Sequence, residues 1–164
     1  MAWNLTLPEH CKLVSATPLG AQTTNGAITL RPVSMKAAIK VWLVAVFQQD
    51  AAIATTIQVN AGASVTTAVT AITFLTPWWL NANVAATDTL VRQADLTIAT
   101  LANTATDQMA VIEIDPADVL AQNVTFDCLS GTISASQQPT NLVGAVWVIQ
   151  ERFAEATPPT AITN

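Results

Sequence analysis

The sequence predicts an all-β domain, a β-sandwich or jelly roll of about eight or more strands with one short helical turn and extended arms at both ends. Three observations carry that prediction. Short apolar runs rich in Val, Ile and Thr recur along the chain, turn residues separate them, and helical periodicity is nearly absent. At 164 residues the chain is long enough to bury one substantial core.

Residues 1–27 read as an N-terminal arm, because SATPLG and TTNGA place Pro, Gly and Asn at turn-forming positions. The expected sandwich occupies residues 28–153. Its first strand is Ile28 to Val33, with Pro32 assigning it to an edge or a strand end. Ile39 to Phe47 is the strongest strand: Ile39, Val41, Leu43, Ala45 and Phe47 share one face, and Trp42, Val44 and Val46 make the other face apolar too. A strand apolar on both sides needs covering on both sides, by its own domain or by a neighbour.

Thr55 to Asn60 alternates as a half-buried strand does. After the turn NAGAS, Val65 to Leu75 favours strand over helix, since Thr and Val are stiff at χ1 and fit a pleated surface. Thr89 to Gln93, Leu96 to Leu101, Met109 to Ile114, Val124 to Leu129 and Leu142 to Arg152 complete the series. The helical turn is DPADVLA, where Asp115 caps free amides, Pro116 suits the first helical position and Asp118 lies near the positive dipole end. Residues 154–164 form a C-terminal tail in which Pro158 and Pro159 favour extended backbone.

Composition narrows the function. Hydrophobic residues make up 51% of the chain and charged residues only 10%, against about 25% in ordinary soluble domains. Thr, Asn, Gln and Ser supply the polarity instead. Lys and Glu are costly to strip of water and are depleted in interface cores, so a neutral exterior suits an assembly component. The net charge of −5, with six basic residues in no dense run, argues against a nucleic-acid partner. No apolar run reaches the roughly 20 residues of a spanning helix, and the N-terminus MAWNLTLPEH lacks a basic leader, so no membrane or secretory role is expected.

Chemistry has few candidates. Glu113, Asp115 and Asp118 match no calcium-loop spacing. His10 is the sole histidine, and with Cys11 and Cys128 it falls short of a four-ligand zinc site in one chain. No nucleophile elbow or phosphate-cradling glycine pattern occurs, so neither a metal, nor a cofactor, nor an enzymatic activity is expected. The cysteines are expected to be free thiols. Of five tryptophans, Trp42 and Trp147 read as core. Trp78 and Trp79 are adjacent on an extended segment, so one of them points outward, where a ring can stack on sugar or anchor a protein interface. The Thr-rich, uncharged surroundings favour protein. The candidate interface residues are Trp3, Trp78, Trp79, Pro158 and Pro159.

The second half of the chain carries TPWWLN, then TDTLVRQ, AVIEIDPADVL, VTFDCLSG and finally NLVGAVWVIQERFAEATPPTAI. In style and order these elements resemble the small structural proteins of tailed bacteriophages, over Ile28 to Ile162. The resemblance implies a capsid decoration or cement subunit that binds and stabilises the shell of major capsid protein, located on the virion surface and made in the host cytoplasm. It also implies a homo-oligomer, with a trimer as the first candidate, and no catalytic residue. A neck, collar or tail ring component is the alternative from the same class; a carbohydrate-binding module using Trp78 or Trp79 is the alternative from another.

Overall fold

A computed structural model describes residues 10–18, 21–22, 26–135 and 140–152. The large sheet is formed by β1 (Cys11–Ser15), β2 (Ala21–Gln22), β4 (Ala38–Gln48), β7 (Trp78–Asn81), β8 (Val91–Arg92), β10 (Gln108–Ile114) and β12 (Leu142–Glu151). Its order is β1-β12-β4-β10-β7-β8, with β2 also pairing β12. The small sheet is formed by β3 (Ile28–Ser34), β5 (Thr56–Gly62), β6 (Thr70–Ala71), β9 (Ile98–Thr100) and β11 (Cys128–Ile133). Its order is β3-β11-β5-β6, with β9 also on β5, and every strand pairing in both sheets is antiparallel. The all-β sandwich expected from the sequence is therefore the fold.

Alternation drives the packing. Val41, Leu43, Ala45 and Phe47 of β4 point inward with Ile112 and Ile114 of β10 and Trp147 and Ile149 of β12. Leu30, Val33, Ile57, Val59, Leu129 and Ile133 meet them from the small sheet. Each Val, Leu, Ile or Phe among them contributes about 1.5–3 kcal/mol by leaving water. Trp147 also spans the layers, since its Nε1 donates to the Arg31 carbonyl at 2.9 Å.

Several expectations are corrected. The segment read as an irregular arm contributes β1 and β2 to the large sheet, and Ala16 ties the two sheets together: its amide donates to Ala145 at 2.8 Å and its carbonyl accepts from Arg31 at 2.7 Å. Ile39 does not share the inner face. The β4–β12 register slips between Gln150 and Glu151, and this bulge turns Ala38 inward and leaves Ile39 47% exposed.

Val65 to Leu75 is no long strand; only Thr70 and Ala71 pair. The Ser64 hydroxyl bonds Thr66 and Thr67, and the Thr67 amide bonds the Ser64 carbonyl, so local hydroxyl bonding displaces the ladder. Val124 to Leu129 likewise becomes strand only from Cys128, because Asn123 holds the preceding residues in a turn through Thr125 and Phe126.

The expected helical turn is α1 (Pro116–Gln122), capped by Asp115, whose Oδ1 accepts from the Ala117 amide at 2.8 Å. No helix among the described residues is long and apolar enough to cross a membrane.

Candidate docking face

The outer face of the large sheet follows from register. Three adjacent rows run across its middle. The central row is Ser15, Val146, Val44, Val111, Trp79 and Arg92. On one side lie Leu13, Val148, Trp42 and Glu113; on the other lie Gly144, Val46 and Met109. Their inward-facing neighbours fill the core, so period-2 alternation sends these residues out.

Trp42, expected in the core, belongs to this face and is only half-buried. Its even position in β4 places it opposite Leu43 and Val41, and its indole Nε1 donates to Glu113 Oε2 at 3.0 Å. Trp78 and Trp79 divide as their adjacency requires. Trp78 is buried and donates from Nε1 to the Ala94 carbonyl at 2.9 Å. Trp79 faces outward with the Arg92 guanidinium 5.1 Å from its ring centroid. Trp3, Pro158 and Pro159 lie outside the described residues.

The charges bordering this face are paired with one another. Lys40 Nζ lies 3.1 Å from both Glu113 Oε1 and Asp115 Oδ2. Burial alone would lower the Lys40 pKa, but hydrogen bonds to Glu113 and Asp115 raise it above its ordinary value. Arg92 pairs with Asp95, and Lys12 with Glu151. What the face offers a neighbour is hydrocarbon and aromatic surface.

The face has a notch. Around Gly144 a cavity of about 260 Å³ is lined by Ser15, Thr17, Pro18, Val44, Val46 and Val146, among others. A Cβ built on Gly144 meets no atom within 4 Å. Glycine weakens a strand interior, and neither positive φ nor crowding requires it here.

Among the described residues no group of three or more His, Cys, Asp or Glu side chains is placed to hold a metal. Cys11 and Cys128 are free thiols. Burial first, then neighbouring Asp127, pushes the Cys128 pKa up to about 12, which keeps that thiol protonated. Both strand β1 and the notch went unread in the sequence: β1 sits amid turn signals, and a lone glycine acquires meaning only beside its cross-strand neighbours.

No family model matches this chain, and no curated protein is detectably similar to it.

Proposed function

We propose that this chain is a virion structural subunit of the capsid-accessory kind, decorating and stabilising a shell of major capsid protein. The observation that carries the reading is the outer face of the large sheet, where Leu13, Trp42, Val44, Val46, Met109, Val111, Val146 and Val148 form an apolar surface whose bordering charges are already paired. An apolar face of a few hundred Å² is commonly a functional surface, and its lack of free charge suits a protein contact. Weak contacts repeated over a shell add through multivalency and need no charged patch. The sequence resemblance supplies the virion setting. A sugar-binding reading through Trp78 or Trp79 has less support, because Trp78 is 3% exposed and the Trp79 ring is covered by Arg92.

The test is co-sedimentation of the purified chain with assembled shells of its cognate capsid protein. Binding at a fixed ratio to capsid subunits, with density on the shell surface by electron microscopy, is the expected result. Failure to bind any shell, or density only at the neck or tail, overturns it. Truncations belong at residues 1–9 and 153–164, because a cut at residue 24 removes β1 and β2 from the sheet.

A further inference from the structure

We propose that the outer face of the large sheet is where a second copy of this chain packs, face to face about a two-fold axis, with the notch at Gly144 receiving side chains of the partner. The inference rests on the structural-subunit reading and names a neighbouring subunit, not the shell itself, as what covers this face.

Three observations point to a copy. The first is the register. The central row, Ser15, Val146, Val44 and Val111, has exposed Leu13 with half-buried Val148 and Trp42 two residues to one side, and the Gly144 notch beside Val46 two residues to the other. A two-fold axis along that row carries each side onto the other. Val148 of one copy then stands over Gly144 of its mate, with Leu13, 53% exposed, one strand away. Knob and hole lie on the same surface at equal distances from the axis, which is the self-complementarity an isologous contact requires.

The second is the glycine. An open strand position on an apolar face gains from a β-branched side chain, yet residue 144 has none. Close approach of another chain explains the space.

The third is charge. The chain has eleven acidic and six basic residues, so two copies repel wherever unpaired carboxylates would meet. On this face Glu113 and Asp115 are held by Lys40, and the rows between carry no other acid. The face offers nothing to recognise a charged partner, and another face like itself matches it.

Five strands across and about five residues along give a plane of about 24 Å by 16 Å, or roughly 400 Å² per copy. About 800 Å² for the pair belongs with weak, reversible contacts.

Sedimentation equilibrium of the full chain from about 1 μM to about 1 mM tests this. The expected result is a mass rising from one chain to two. Gly144→Lys, whose Cβ meets no atom within 4 Å, and Val146→Lys, which sets two charges together on the axis, should each weaken pairing by at least about tenfold. Val124→Lys, at a site 84% exposed and outside the face, should pair as the wild type does. The proposal is overturned by a wild type of single-chain mass throughout, by a three-chain limit, or by lysine variants that pair normally. A single-chain protein that still coats shells would sink this proposal and leave the proposed function standing; a pair that ignores shells would do the reverse.

Discussion

Gln108 lies at the start of β10, fully buried, and its side-chain amide joins three parts of the fold. Nε2 donates to Gln49 Oε1 at 2.6 Å, to the Ala102 carbonyl at 2.8 Å and to Thr104 Oγ1 at 3.3 Å, while Oε1 accepts from the Ala102 amide at 3.0 Å. Gln49, itself 2% exposed, passes the chain on to buried Thr55 at 3.2 Å. Gln108→Leu keeps the approximate volume and removes all four bonds. Gln49 Oε1 then loses its donor in a buried site, at about 2 kcal/mol, and the half-buried Ala102 groups add about 1 kcal/mol together. The added apolar contact offsets part of that, leaving a net loss of about 2–3 kcal/mol, or a melting point lower by about 5–10 °C for a domain of this size. Urea unfolding followed by tryptophan fluorescence measures it, alongside Gln49→Leu and the double variant. Because the two amides serve each other, the double variant should lose about 1 kcal/mol less than the sum of the singles. A Gln108→Leu loss under about 0.5 kcal/mol, or strict additivity, would refute the claim that this amide network joins those three parts of the fold.

Three further outcomes follow from the same geometry. Gly62→Ala should cost about 2 kcal/mol, since its Cβ would meet the Thr67 carbonyl oxygen and come within 2.5 Å of Ala68 Cα, whereas Gly144→Ala should be neutral or stabilising by up to about 1 kcal/mol; thermal melts of the pair check both signs. Asp115→Ala should lose about 1 kcal/mol at neutral pH. The Ala117 amide first, and Lys40 after it, hold the Asp115 carboxyl below its ordinary pKa, so its contribution is complete above about pH 4 and disappears as pH falls through the lower folded value. The gap between wild type and variant should therefore narrow in acid, and a gap unchanged at about pH 2 would exclude the ionic part. A thiol reagent at about pH 8 should leave Cys128 untouched in the native protein and label it on unfolding, and labelling at the rate of a free thiol would contradict its burial.

The docking face was half legible in the sequence. The reading that Trp42, Val44 and Val46 make β4 apolar on its second side, and that one of Trp78 and Trp79 points outward, comes from period-2 alternation alone. Which of the two tryptophans faces out depends on the β7–β10 register, where Trp79 lies opposite Val111 of the outer row. Trp42 was assigned inward because hydrophobicity gives no sign of which layer lies on which side.

Alternation, turn chemistry and the scarcity of charge determined by themselves that this chain is an all-β sandwich poor in charge, because those signals are local and each strand carries its own copy. The N-cap at Asp115 belongs to the same class, since a cap acts within one turn. Only the tertiary structure decided that β1 and β2 join the large sheet, that a bulge turns Ile39 outward, and that Gly144 opens a notch beside Val46 and Val146. Each of these depends on residues tens of positions apart meeting across a ladder, and register between distant strands is set by the packing of the whole core.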